Sequence, residues 1–140
     1  MILDRIKLKI KGNIDRLQSK GAFVDIIDYK TGAMDKSDLT LKNIEEAFTG
    51  KKNKAFQLLY YALLYNNQNL NSNEKISTGI IHLKKINKHL QYLNITKDDH
   101  ITSDKLMEFK DNLSILINEI QSDKVPFTHL KEAKYCKYCE

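Results

Sequence analysis

The sequence predicts a mixed α/β (α+β) domain in which helices pack against a β-sheet, and three observations predict it. Two stretches near the N-terminus, "IKLKIKGNID" and "AFVDIIDYKT", have strand character. A central stretch, "KAFQLLYYALLYNNQ", is apolar almost all round, as a buried helix is. A second strand pair and an amphipathic stretch follow, so the order reads ββ-αα-ββ-α, which suits a mixed sheet covered by helices.

Each element has its own pattern. Ile6, Leu8, Ile10, Gly12 and Ile14 alternate with Lys7, Lys9, Lys11 and Asn13, the period of a strand with one buried face. After "QSKG", Ala22 to Thr31 is rich in β-branched and aromatic residues, as in a more fully buried strand. Residues 32 to about 41 are polar and mixed, and read as a loop. Leu41, Ile44, Ala47 and Phe48 have helical spacing, with Gly50 as a stop. The strong central helix follows, then an Asn-rich loop over 66–75. "ISTGIIHLKK" and "KHLQYLNITK", joined by "INK", read as a second hairpin. Ser103 or Asp104 can cap a last helix whose stripe is Leu106, Phe109, Leu113, Leu116, Ile117 and Ile120.

Composition narrows the class. The 140 residues, 41% apolar and 29% charged, are enough for one domain with its own core. Five Gly and one Pro, Pro126, speak against a disordered chain or a turn-rich β-sandwich. The net charge of +5 suits an anionic partner such as nucleic acid, or simply a Lys-rich surface. No apolar run approaches the roughly 18 residues of a membrane span, and the charged start "MILDRIKLKIKG" is no secretory signal. Cys136 and Cys139 alone do not make a secreted disulfide scaffold, so a reducing cytoplasm is the expected compartment. Strand pattern at Met1 and an end directly after "CKYC" lead us to expect a piece of a larger protein: one domain over 1–140, with a Cys-containing tail at 127–140.

The charges of the first hairpin demand a reason. Asp28 and Lys30 are two apart on a strand, so they share a face with Val24 and Ile26, which should be buried. Asp15, near the end of the preceding strand, should lie beside them, whereas Asp25 points the other way. Two carboxylates suit Mg²⁺, which takes one or two such ligands and keeps several waters. A lysine beside them can offset charge developing on a phosphate. On a bare D-x-K alone, a solvated Asp–Lys pair is the better reading. Gln57 and Tyr61, four apart on one face of the central helix, are polar among leucines. Tyr60 sits on a neighbouring stripe. Lys51, Lys52 and Lys54 of "GKKNK" can contact phosphates or stay solvated.

In order, "GNIDR", "IIDYKTG" and "FQLLYYALLY" resemble the PD-(D/E)XK nuclease superfamily, in particular its RecB/AddB-like branch, over residues 6–65 and more weakly in the tail. The resemblance implies a restriction-endonuclease-like mixed sheet flanked by helices. It implies that Asp15 and Asp28 bind the metal, with the main-chain carbonyl of Tyr29, and that Lys30 is the catalytic lysine. Gln57 and Tyr61 match the helix pair. It further implies Mg²⁺- or Mn²⁺-dependent cleavage of DNA phosphodiester bonds, in repair or recombination, beside helicase or other domains of the same protein. The rival expectations are a nuclease fold that binds DNA or a partner without cutting, and a small interaction domain with a surface Asp–Lys pair. Relatives usually have an upstream helix that adds a His or Glu to the site, and this sequence lacks it, so little activity is expected of these residues alone. Some members hold an iron–sulfur cluster on four Cys. Cys136 and Cys139 are only two, so no cluster is expected here, and half a zinc site or two free thiols are the alternatives. His82, His89, His100 and His129 are scattered and suggest no metal constellation.

Overall fold

The structure, a computed structural model, describes residues 2–3, 6–7, 9–70, 74–84 and 90–126. The tail with Cys136 and Cys139, and His89 and His129, lie outside the described residues.

Strands β1 (Ile2–Leu3) and β2 (Ile6–Lys7) form a small antiparallel ribbon. Next, β3 (Arg16–Lys20) and β4 (Phe23–Lys30) form an antiparallel hairpin around Gly21, whose φ of +61° is one that glycine adopts without strain. A 3₁₀ turn over Lys36–Leu39, the short strand β5 (Thr40–Leu41) and a second 3₁₀ turn over Glu45–Phe48 lead to helix α1 (Asn53–Gln68). Then come β6 (Lys75–His82), β7 (Gln91–Tyr92), β8 (Asn94–Ile95), β9 (His100–Ile101) and helix α2 (Ser103–Gln121). The main sheet runs β3-β4-β6-β7, with β9 also on β6, and β5 pairs separately with β8.

Only β4 and β6 of the main sheet are parallel, and α1 is the crossover between them. Parallel neighbours need such a connection, because a tight turn can only reverse the chain. Val24, Ile26, Ile76 and Ile80 share one sheet face, and with Ala55, Leu58, Leu59 and Ala62 of α1 they form the core. The even spacing of the strand residues and the near-continuous apolar surface of α1 are the two periods that make this layer. Phe48, Phe56 and Phe109 meet with ring centroids 5.2–5.3 Å apart and tie α2 to α1. At Gly79 the strands approach too closely for a side chain, since a Cβ would lie 2.8 Å from the Gln91 carbonyl oxygen.

The mixed sheet with helices against it agrees with the expected fold class, but several local expectations need correction. Ile6 to Ile14 is not one strand: β2 ends at Lys7, and Ile10 and Ile14 are partly buried against the core from irregular chain. Residues expected to be the connecting turn, Gln18 to Lys20, belong to β3. The helix expected over Leu41 to Phe48 is one 3₁₀ turn, because Leu41 is taken by the β5–β8 pair. Its buried residues, Leu41, Ile44 and Ala47, were nevertheless those with the apolar spacing. The last helix is capped one residue early, by Thr102, whose hydroxyl accepts from the Lys105 N–H. Of its stripe, Leu106, Phe109 and Leu113 are buried, while Ile120 is exposed.

Candidate active site

The site forms where β4 ends. Along that strand Val24 and Ile26 are buried, and the next residue on the same face is Asp28, only 3% exposed. Lys30, two further on, carries its ammonium 2.9 Å from Asp28 Oδ2. That oxygen is buried and has no aligned hydrogen bond. The two observations agree if Lys30 neutralises the carboxylate without saturating it. A buried carboxylate oxygen met only by a poorly aligned ammonium has room for a further partner, as is expected where a ligand completes the shell.

Asp15 reaches the same place by a different route from the one expected. It does not lie near the end of a strand; it stands immediately before β3 begins. The distinction matters, because in an antiparallel hairpin the end of the first strand lies against the start of the second. Arg16 is opposite Ile27, so continuing the register sets Asp15 opposite Asp28. Its Oδ2 accepts from the Tyr29 N–H at 2.9 Å. In a strand the N–H and C=O of one residue point to the same side. The Tyr29 carbonyl therefore points to the β3 side, beyond Arg16, where that strand offers no further partner. Lys30 points its carbonyl the other way, to Leu83 N–H at 2.9 Å.

Helix α1 supplies the opposite wall. Lys30, Asn53, Lys54 and Gln57 line one open cleft of about 320 Å³. Gln57 Nε2 donates to the hydroxyl of Tyr61 at 2.8 Å, so the helix pair is linked as its four-residue spacing suggested, with Tyr61 buried beneath Gln57. Tyr60 has a part that the spacing did not reveal. Its hydroxyl donates to the Lys11 carbonyl at 3.0 Å. A Cβ on the neighbouring Gly12 would lie 3.0 Å from Leu64 Cδ1 and 3.4 Å from the rings of Tyr60 and Tyr61. The glycine of "GNIDR" thus lets the chain leading to Asp15 lie flat on α1. No local pattern carries that signal.

Lys52, just before α1, and Lys54, in its first turn, are engaged within the protein. Lys52 Nζ donates to the carbonyls of Ser37 and Thr40, the latter at 2.9 Å. Lys54 Nζ lies 2.7 Å from Asp38 Oδ2. Burial pushes the Asp38 carboxyl up, but the Lys54 hydrogen bond, the Asp35 N–H and the charges of Lys54 and Lys52 outweigh it and hold the group below its ordinary 3.8. Lys51 is exposed. Asp25, as its parity requires, is on the other face and accepts from the Tyr92 hydroxyl at 3.1 Å.

The donor set suits a hard divalent cation. It comprises two carboxylates, one with a buried unsaturated oxygen, and a main-chain carbonyl on the same side. Among the described residues no group of three or more His, Cys, Asp or Glu side chains comes together, so most of a metal's shell would remain water, which is how Mg²⁺ is usually held. A pair of acids at the open end of the β3–β4 hairpin, a lysine on the face of Asp28 and a Gln–Tyr helix across the cleft are thus brought together at one place. The family model of the PD-(D/E)XK nuclease superfamily matches residues 2–140, and the chain belongs to that superfamily. No curated protein and no solved structure matches the chain. No helix among the described residues is long and apolar enough to cross a membrane.

Proposed function

We propose that this domain is a Mg²⁺-dependent deoxyribonuclease of the RecB/AddB-like type, hydrolysing phosphodiester bonds in DNA repair or recombination within a larger protein. The observation that carries the reading is the meeting of Asp15, Asp28 and Lys30 at the end of β4, with Gln57 on the cleft that Lys30 lines. Asp15, Asp28 and the Tyr29 carbonyl would hold the metal. When bound, Mg²⁺ supplies a polarised phosphoryl oxygen and a more acidic water.

The chain's own groups do the rest. Lys30 is held by Asp28 and offers its ammonium, already in place, to the charge that develops on the phosphate. Its ammonium is engaged in the ion pair with Asp28, which suits electrostatic support better than proton abstraction. Gln57, fixed by Tyr61, presents its amide to the cleft and orients what enters. Lys54, on the same wall, and Lys51 and Lys52 before it can meet phosphates, Lys52 and Lys54 after exchanging their present partners.

The test is a nuclease assay on these 140 residues and on a longer chain that includes upstream sequence, each with an Asp28→Asn control. Activity that depends on Asp28, small in the short protein and restored in the long one, supports the proposal. Cleavage equal in wild type and Asp28→Asn would refute it. Metal-independent DNA binding with no cleavage in either protein would favour the non-cleaving reading.

A further inference from the structure

His82 stands beside this site, and no part of the reading above uses it. It is the last residue of β6 and pairs in register with Lys30, so it occupies the face that carries Asp28 and Lys30. It is only 5% exposed. Its Nε2 lies 2.7 Å from the carbonyl oxygen of Gly32, two residues beyond the end of β4. A carbonyl can only accept, so Nε2 carries the proton and the bond runs from His82 to Gly32. Nδ1, on the other side of the ring, is buried and without a partner among the described residues.

We infer that His82 is a positioning residue of the site, which extends the grip of β6 on β4 past the end of the ladder and thereby fixes Lys30. The next residue, Leu83, donates its N–H to the Lys30 carbonyl at 2.9 Å. Leu83 and His82 thus hold two alternate carbonyls of the segment that ends β4, those of Lys30 and Gly32 in turn. The first bond is made by backbone and needs no particular side chain. The second is made by an imidazole and is lost with it. Thr31 and Gly32 are exposed, so little else restrains the chain just after the lysine. A lysine has a flexible four-carbon stem, and its ammonium lands where its backbone allows. Groups of a catalytic constellation must be held to within about 0.5 Å. The hydrogen bond from His82 supplies that restraint at the one point where the sheet no longer does.

The inference rests on the nuclease reading for its consequence in catalysis, but its structural half can be read without activity. Ring ¹⁵N shifts of His82 should show a proton held on Nε2, and His82→Leu should broaden or shift the amide signals of Thr31 and Gly32. In the longer, active protein His82→Leu should lower kcat about 10- to 100-fold, with KM within about threefold. His82→Gln, whose amide nitrogen can reach the place of Nε2, should recover most of that loss at the same thermal stability as the leucine variant. A proton on Nδ1 instead of Nε2, or leucine and glutamine variants equal in kcat, would overturn the inference. If Asp28→Asn cleaves as wild type does, the nuclease reading falls, and the tautomer and the Thr31–Gly32 signals still decide whether His82 holds the loop.

Discussion

The two ends of β6 carry polar clusters of similar composition and opposite character. Near its start, Ser77 Oγ lies 2.9 Å from His100 Nδ1, and the His100 N–H donates to Asp98 Oδ1 at 3.0 Å. Lys105 Nζ is 2.8 Å from both Asp98 Oδ2 and the His100 carbonyl oxygen. Each oxygen of Asp98 therefore has a partner, and the Lys105 hydrogen bond and the His100 N–H hold its carboxyl below the ordinary 3.8. At the other end, Asp28 also has a lysine at hydrogen-bond distance, yet among the described residues its Oδ2 lacks an aligned bond and His82 Nδ1 lacks any. Both ends contain an Asp, a Lys and a His. One is closed upon itself and the other is left open.

Folding alone favours the closed arrangement, since buried polar groups cost stability unless they are paired. An open cluster that persists in a well-packed face is expected where something else must bind. The contrast can be broken or sharpened by substitution at each end. The largest effect is expected at Asp28: Asp28→Asn should abolish cleavage, by about 10³-fold or more, while thermal stability stays equal or rises, because the variant no longer buries an incompletely bonded charge. Cleavage rates and melting curves on one preparation measure both, and a variant that is inactive because it is unfolded would count against the account. Lys30→Ala should reduce kcat about 10²-fold and leave metal binding in place. Its cleavage at the wild-type rate would remove the role assigned to the ammonium.

At the closed end the sign reverses. Lys105→Ala should cost about 1 kcal/mol, since it strips donors from the half-exposed Asp98 Oδ2 and from the His100 carbonyl, and should leave cleavage unaltered. Denaturant midpoints and rates measured together decide it. The smallest effect concerns pH. Asp38 has a folded pKa below 3.8, so the unfolded chain binds its proton more readily than the folded one. Its contribution is present in full above that value and is lost as pH falls through the lowered folded pKa. With the pair partly exposed it amounts to less than about 1 kcal/mol. Between about pH 5 and pH 3 the stability of Asp38→Asn should fall less than that of wild type, as urea midpoints would register.

What could be read from the residues in order was what a local period encodes. The face shared by Asp28 and Lys30 follows from strand alternation, and the Gln57–Tyr61 link from helical spacing. The buried stripe of Leu106, Phe109 and Leu113 was legible for the same reason. What was not legible depends on partners far along the chain. Whether Asp15 ends one strand or precedes the next is decided by the β3–β4 register, and the turn at Gly21 comes later than the run "QSKG" suggested. Leu41 is drawn out of a helix by Ile95, 54 residues away in sequence. Tyr60 and His82 act on carbonyls of residues 49 and 50 positions distant, Lys11 and Gly32, and a backbone acceptor leaves no mark on the residue type that provides it.

The claim that the open end of β6 and β4 is a cation site is tested most directly by titrating Mn²⁺ into the ¹⁵N-labelled chain and following paramagnetic broadening. Binding is expected to be weak, because two carboxylates and a carbonyl leave most of the shell to water. Broadening should begin at the amides of Asp15, Asp28, Tyr29 and Lys30, vanish in Asp28→Asn, and persist in Asp98→Asn. Broadening that spares those four residues, or that survives unchanged in Asp28→Asn, would contradict the account.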